Sequence, residues 1–152
     1  MSVLSILNYP NKKLRKIASN ISLIDSEIKS LIKNMLETMY FNEGIGLAAT
    51  QVDVHKRIIV IDISKNKNKP LILINPVFIN KCGAQTFEEG CLSIPKKTAF
   101  VNRSKKVKIK AINCLGEEFL LKSKGLLATC IQHEMDHLIG KLFIDYIKPL
   151  KN

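Results

Sequence analysis

Residues 105–121, KKVKIKAINCLGEEFLL, decide how this chain folds. Val107, Ile109 and Ala111 alternate with three lysines, and this period of two is typical of a strand with one buried face. Leu115-Gly116-Glu117 is typical of a turn, and residues 119–121 continue as a second apolar strand. The stretch therefore predicts an antiparallel hairpin.

More strands and two helices surround this hairpin in the sequence. Residues 57–63 (RIIVIDI) and 70–75 (PLILIN) are short, apolar and β-branched, and a polar KNKNK segment separates them. An apolar stripe at helical spacing predicts a helix over residues 25–42, with Asp25 as its N-cap. A second helix is predicted over residues 126–139, with Gly140 as its C′ residue. Because the strands form a block between two helices, we predict an α+β fold in which antiparallel β-sheets pack around a central C-terminal helix, accompanied by the N-terminal helix.

Length and composition narrow the class of protein. A chain of 152 residues is too short for two well-buried domains, so we predict a single domain over residues 1–152. The hydrophobic content of 46% is too high for a disordered chain. No apolar run reaches 18 residues, which argues against a membrane span, and the amino terminus lacks the pattern of a secretory signal. We therefore expect a cytoplasmic protein without membrane association.

The net charge of +11 raises a different hypothesis, a basic RNA-binding module. Nearly all of the positive residues are Lys, however, and a solvated lysine-rich surface is the favoured explanation of the charge; the three exceptions are Arg15, Arg57 and Arg103. An RNA-binding module also predicts aromatic residues that stack on bases, but the chain has no Trp, and its three Tyr and six Phe lie mostly in apolar contexts. We expect no sequence-specific binding of nucleic acid.

Residues 133–137, HEMDH, are typical of a metal site on a helix. Positions i and i+4 share one helix face about 6 Å apart along the axis, so two imidazoles can converge on one ion. Glu134 projects beside them, where it can accept a proton from a metal-bound water. The chain has only three histidines, so their placement here favours a metal site over an ordinary helix.

A metal centre of this kind needs a third protein ligand. The HExxHxxGxxH continuation fails because Phe143 occupies the last position, and no Glu follows Glu134. Cys130 lies about 10 Å along the helix axis from His137, too far to share an ion, and is predicted to line a pocket or core. Cys91, in the segment 88–95 (EEGCLSIP), is the best candidate from its context, although spacing alone leaves the assignment open. Three other residues are predicted to have no role at the metal: Cys82, Cys114 and His55.

Three ordered segments together resemble the signature motifs of bacterial peptide deformylases. They are residues 44–51 (GIGLAATQ), 89–93 (EGCLS) and 132–137 (QHEMDH). The similarity continues from the amino terminus through Lys148-Pro149-Leu150 and so covers nearly the whole chain. An HExxH peptidase remains the alternative hydrolase, although most such enzymes use His or Glu as the third ligand.

The resemblance implies a complete mechanism. It implies that the substrate is the N-formyl-methionine start of a nascent polypeptide, hydrolysed to formate and a free amine. Fe²⁺ would be the usual metal, with Zn²⁺ or Ni²⁺ able to substitute, and the implied ligands are Cys91, His133 and His137. Glu134 would act as general base, and the oxyanion would be stabilised by the Gln51 side chain and the Leu92 backbone N–H.

The resemblance also implies which residues contact the substrate. Gly44 and Gly46 would let the backbone run alongside the peptide, and an apolar pocket would take the methionine side chain. The implied substrate-binding residues are Gly44, Ile45, Gly46, Phe87, Glu89, Leu126, Thr129 and Cys130.

Three features depart from the family pattern. Thr129 stands where relatives often have an aliphatic residue, which predicts a slightly more polar methionine pocket. The segment 96–98 (KKT) replaces an Arg that many relatives carry. The sequence stops at Asn152, without the basic C-terminal helix linked to ribosome docking in many members. We therefore expect ribosome association to be transient, with attraction from residues 12–16 and 103–110.

Overall fold

The computed structural model describes residues 2–147 and has two α-helices, seven strands and three single-turn 3-10 helices (Lys12–Arg15, Ala49–Val52 and Phe143–Tyr146) in that part of the chain. The helices are α1 (Ser26–Phe41) and α2 (Gly125–Leu138). The strands are β1 (Gly46–Ala48), β2 (Ile58–Ile61), β3 (Leu71–Cys82), β4 (Gln85–Cys91), β5 (Ile94–Arg103), β6 (Lys106–Ile112) and β7 (Glu118–Lys124). All paired strands are antiparallel, in a five-stranded sheet ordered β1-β2-β3-β6-β7 and a separate β4-β5 hairpin. The predicted α+β class is confirmed.

Both predicted helices are present, with ends set by local chemistry. The Asp25 carboxylate accepts a hydrogen bond of 3.0 Å from the backbone N–H of Ile28 and caps α1. Helix α2 begins at Gly125, one residue before the prediction, and ends before Gly140, which has a φ of +78°. A Cβ on Gly140 would lie 2.3 Å from the carbonyl oxygen of Arg15, so only glycine fits both the turn and the contact. Lys148-Pro149-Leu150 lies outside the described residues.

The predicted β6–β7 hairpin is confirmed, whereas one predicted strand needs correction and one hairpin was missed. Strand β3 extends to Cys82 instead of ending at Asn75, and it pairs with β6 over its second half. The β4–β5 hairpin was not predicted at all, yet it carries Cys91 at the end of β4. The sequence therefore located the central sheet but missed the hairpin that faces the histidines.

Helix α2 lies between the two sheets. Its apolar side packs on one face of the five-stranded sheet, where Ala128, Ile131, Met135 and Leu138 meet Ile59, Leu73 and Ile109. Helix α1 covers a second core that is formed with β1 and β2. Neither helix has the length and apolar character needed to cross a membrane.

The amino-terminal segment runs across two of the loops that surround α2. The backbone N–H of Leu7 donates to the carbonyl of Gln51 at 2.7 Å, and that of Tyr9 donates to the carbonyl of Ser93 at 2.8 Å. The segment thus links the loop after β1 to the turn between β4 and β5.

Candidate metal centre

The two histidines of α2 present their Nε2 atoms to the same point. His133 and His137 are one helical turn apart, and their Nε2 atoms lie 3.3 Å from each other. Their ring centroids are 5.0 Å apart with an interplanar angle of 65°. Both side chains are buried, since only 8% of His133 and 1% of His137 is exposed.

Cys91 reaches these histidines from the end of β4. The pairing of β4 with β5 shifts register between Gly90 and Cys91, which turns the chain toward α2. The Sγ atom of Cys91 lies 3.4 Å from Nε2 of His137. One ligand atom from each of Cys91, His133 and His137 lies within 4.8 Å of the other two.

This donor set fits a divalent transition metal. Atoms bound tetrahedrally at about 2.0–2.3 Å lie about 3.3–3.8 Å apart, and two separations in the cluster fall in that range. The surroundings also favour one positive charge. Burial acts to lower the pKa of His133, but hydrogen bonds with Cys91 and Glu89 and the charge of Glu134 outweigh it and raise that pKa to about 10. Burial, reinforced by the charge of His133, holds the pKa of His137 well below its ordinary value.

A chain of charged groups orients His133 from behind. Nδ1 of His133 donates to Glu89 Oε1 at 2.9 Å. Both carboxylate oxygens of Glu89 accept from the Arg103 guanidinium at 2.8 Å, and Arg103 also donates to Asp136 at 2.6 Å. The Tyr146 hydroxyl closes the chain by donating to Asp136 at 2.7 Å. Such a partner on the second nitrogen holds the ring and leaves Nε2 free to bind a metal.

Glu89, which the resemblance assigns to substrate binding, is bonded to other residues of the site. Glu89 lines the cavity, but both of its carboxylate oxygens are engaged by Arg103 and His133. Burial acts to raise its pKa, yet the hydrogen bonds and charges of Arg103 and His133 prevail and lower it. Glu89 is therefore an ionised positioning group for His133.

Glu134 is buried beside the metal ligands with one carboxylate oxygen unpaired. Only 5% of the residue is exposed, and Oε1 has no hydrogen-bond partner within residues 2–147. Burial is the main cause that raises the pKa of Glu134 to about 7. A Cβ on Gly46 would lie 2.6 Å from Glu134 Oε2, so the glycine makes room for this carboxylate. The arrangement leaves Glu134 able to accept a proton inside the cavity.

Gln51 is held with its amide nitrogen facing Cys91. Its Oε1 accepts from the backbone N–H of Ala48 at 2.9 Å, which fixes which end of the amide points inward. Nε2 donates to the Ser93 hydroxyl at 3.1 Å and lies 3.5 Å from Cys91 Sγ. Leu92 lies between Cys91 and Ser93 in the turn that joins β4 to β5. Of the two predicted oxyanion donors, the Gln51 amide thus lies next to the sulfur, and Leu92 follows Cys91 directly in the chain.

A cavity of about 530 Å³ opens above this cluster. It is lined by every residue that the sequence placed at the site except His137, which is buried against Cys91 and His133. The predicted residues lining it are Gly44, Ile45, Gly46, Gln51, Phe87, Glu89, Cys91, Leu92, Leu126, Thr129, Cys130, His133 and Glu134.

Two cavity residues show how polar the pocket is. The Thr129 hydroxyl accepts a hydrogen bond of 2.8 Å from Gln85, so the expected polarity is partly satisfied within the protein. Burial raises the pKa of Cys130 to about 12, which keeps it a neutral thiol.

Cys130 is not part of the cluster of possible ligands. His55 is also outside the cluster, and its Nε2 lies 2.9 Å from the carbonyl oxygen of Lys13.

The model of the polypeptide deformylase family matches residues 3–152. The chain belongs to this family. Solved structures of peptide deformylases are also similar to this chain. A peptide deformylase from Legionella pneumophila is 43% identical with a TM-score of 0.94, covering 97% of this chain and 87% of that one. One from Thermotoga maritima is 38% identical with a TM-score of 0.92, covering 97% and 99%. One from Ehrlichia chaffeensis in complex with actinonin is 37% identical with a TM-score of 0.94, covering 97% and 90%. The predicted fold and enzyme class are confirmed.

Four residues that support the site of this deformylase were not predicted from the sequence. Ser93, Arg103, Asp136 and Tyr146 hold the Gln51 amide or the Glu89 carboxylate network. Arg103 carried a usable signal, because Arg is rare in this lysine-rich chain and its planar fork suits two carboxylates at once. Ser93 and Asp136 lie within the motif segments 89–93 and 132–137, but nothing in those segments assigned a partner to either, and Tyr146 had no signal that distinguished it from an ordinary polar residue.

Proposed function

We propose that this enzyme removes the N-formyl group from the formyl-methionine start of newly made polypeptides and releases formate. The observation that carries the proposal is the cluster of Cys91, His133 and His137, whose ligand atoms lie within 4.8 Å of one another beside the buried Glu134. The complex of the Ehrlichia chaffeensis deformylase with actinonin supports ligand binding by this chain as well.

We propose Fe²⁺ as the resident metal, held by Cys91, His133 and His137, with Zn²⁺ or Ni²⁺ able to replace it. The choice of iron follows the family, since intrinsic affinity ranks Zn²⁺ above Fe²⁺. When bound, the cation supplies Lewis acidity toward water and the formyl oxygen. A dication, one thiolate and one carboxylate sum to zero charge, so the site can be partly dry at small cost.

Each chemical step then falls to a residue of this chain. Glu134 accepts a proton from the water whose oxygen attacks the formyl carbon. The Gln51 amide and the Leu92 N–H donate to the oxyanion as charge develops on it. Glu134 returns its proton to the amine nitrogen as the C–N bond breaks, and the products are formate and a free amino terminus. Its raised pKa, about 7, suits a group that must both take and give a proton near neutral pH.

The lining of the cavity supports our proposal that the substrate begins with formyl-methionine. Phe87, Leu126 and Cys130 offer apolar surface that suits a flexible thioether, and the backbone of residues 44–46 lies alongside as a partner for an extended peptide. We further propose that residues 1–152 form one catalytic domain that works in the cytoplasm on nascent chains and contacts the ribosome only transiently.

The decisive experiment is an anaerobic assay of the iron-loaded enzyme with formyl-Met-Ala. We expect release of formate without cleavage of the Met-Ala bond. Cleavage of that bond, or of unformylated Met-Ala, would instead indicate an HExxH peptidase.

Loss of the metal gives an independent check. Cys91→Ala removes one of three ligands, so we expect purified protein to retain little metal by elemental analysis and to have no activity. Cys114→Ala is the matched control, because this half-buried cysteine lies outside the cluster and its loss should leave the metal content unchanged.

A further inference from the structure

Four lysines lie together on the outer face of the five-stranded sheet. Lys106 and Lys108 belong to β6, and Lys122 and Lys124 belong to β7. Alternate residues of a strand point to the same side, so these four lie opposite the face that sends Val107 and Ile109 into the core. We call this set of four the lysine groove.

The strand register sets these positive charges against each other. Lys106 is directly opposite Lys124, and Lys108 is directly opposite Lys122. Like charges in such positions destabilise a sheet. None of the four forms an ion pair within residues 2–147, whereas Lys110, the next outward residue of β6, pairs with Glu118 at 3.5 Å. The fold therefore carries a repulsion that an anionic partner would relieve.

The surface is concave and separate from the catalytic cavity. Its depression has a volume of about 420 Å³ and is lined by the four lysines together with Asn80, Cys82, Val107 and Ser123. It shares no lining residue with the catalytic cavity. No aromatic side chain lines it, so it offers charge and amide hydrogen bonds without a platform for stacking bases.

We propose that the lysine groove binds the phosphate backbone of single-stranded RNA without selecting its sequence. An RNA strand is narrow and carries one negative charge per nucleotide, so it can lie in a groove and meet successive ammonium groups. The ammonium group of Lys binds phosphate as a point charge, and contacts of this kind position a strand without reading its bases. A bilayer surface is broad and flat, which fits the concave shape less well.

Fluorescence anisotropy with a labelled 20-nucleotide polyuridine RNA tests the proposal on the metal-loaded enzyme. Four phosphate contacts predict a slope of about −2.8 for the logarithm of affinity against that of salt concentration, or about 50-fold weaker binding at 200 mM than at 50 mM salt. Replacing all four groove lysines by Gln should weaken binding more than tenfold at 50 mM salt and flatten the slope.

A matched control separates the groove from net charge. Lys29, Lys33, Lys65 and Lys67 are exposed lysines outside the groove, and their replacement by Gln removes the same charge. This variant should keep its RNA affinity within about threefold. Equal losses in the two variants, or no binding by the unaltered enzyme, would overturn the proposal. The proposal would also fail if the groove variant and the unaltered enzyme bound RNA with equal affinity while only the unaltered enzyme bound phosphatidylserine vesicles.

Two further readouts keep the test independent of folding and catalysis. Turnover of formyl-Met-Ala should be unchanged in the groove variant, and its Tm should rise because two like-charge pairs are removed. If the fourfold variant does not fold, Lys122→Gln with Lys124→Gln removes one member of each pair and should still reduce the salt slope by about half.

Discussion

The two helices of this enzyme bury very different side chains. Helix α1 has 16 residues and buries only Ile32, Met35, Thr38 and Met39. Helix α2 has 14 residues and buries ten, of which five are polar: Thr129, Gln132, His133, Glu134 and His137. An apolar residue can be buried against any neighbour of the right shape, but a polar residue needs a specific partner. The difference suggests that α1 mainly stabilises the fold and that α2 mainly serves the chemistry.

We expect the largest effect on catalysis from a substitution at Glu134 of α2. Glu134→Gln keeps the shape of the side chain but cannot take up a proton, so kcat should fall by about 10²–10⁴-fold. The metal should stay bound, and Tm should not fall, because a buried carboxylate is replaced by a neutral group. Formate release, elemental analysis and thermal unfolding measure the three quantities. Glu27→Gln on α1 is the control, and more than a tenth of normal turnover in the Glu134 variant would rule out the general-base role.

Met39→Ala should show the opposite pattern on α1. The side chain is fully buried, and its truncation should lower the free energy of unfolding by about 2–5 kcal/mol. At a temperature where the variant remains folded, kcat should match that of the unaltered enzyme. Urea unfolding and formate release test this, with the exposed Lys33→Ala expected to change stability by less than about 0.5 kcal/mol. A fall in kcat at full folding would show that α1 also shapes the site.

Glu89→Gln sharpens the comparison because it acts on α2 from outside the helix. The variant removes the charge that orients His133 and should weaken metal binding by about 10–100-fold, while saturating metal restores most of the activity. Competition with a chelator measures the affinity. Glu88→Gln is the matched control, since the neighbouring Glu88 is exposed and, within residues 2–147, its side chain accepts a hydrogen bond from Thr98 alone. Equal metal affinities in the two variants would contradict the positioning role.

The smallest effect is expected for the stability of a variant at Asp62, which is hydrogen-bonded to a residue of α1. Its carboxylate accepts a hydrogen bond of 2.6 Å from the Tyr40 hydroxyl at the end of α1. Burial acts to raise the pKa of Asp62, but hydrogen bonds from Ser64, Tyr40 and Lys69 prevail and lower it below its ordinary value of 3.8. The ionised form therefore contributes stability above pH 3.8, and this contribution is lost as the pH falls through the lowered pKa.

Asp62→Asn should therefore cost about 1 kcal/mol at pH 7, and the difference from the unaltered enzyme should shrink below about pH 4. Urea unfolding at pH 7 and pH 3 measures both values. Asp25→Asn, which keeps a capping side chain at the start of α1, controls for removing an exposed carboxylate. A difference that is constant over this range would show that the charge of Asp62 does not stabilise the fold.

The parts of the fold that could be predicted are those whose burial depends on neighbours in the sequence. The stripe of α1 and the alternation of β6 each place apolar residues on one face, so their positions follow from local spacing. The β4–β5 hairpin could not be found in this way. Its inward positions include Glu89 and Arg103, which are charged and become buried only because they pair across the hairpin.

The residues of the metal site could likewise be predicted from spacing only where they belong to one local element. The spacing of His133 and His137 predicts two ligands on one helix face, because both belong to one local element. Cys91 lies on a different element, 42 residues before His133 in the numbering, and spacing left it as one candidate. The ordered motifs of the family pointed to Cys91, and the structure places its sulfur beside the imidazoles.

The amino-terminal segment has a practical consequence for work on this enzyme. Through Leu7 and Tyr9 it bonds to the backbones of both Gln51 and Ser93, whose side chains meet next to the Cys91 sulfur. A deletion of the first nine residues, or a bulky affinity tag placed there, would thus disturb catalysis from a position remote in the sequence. Kinetic constants are best measured on protein with an unmodified start.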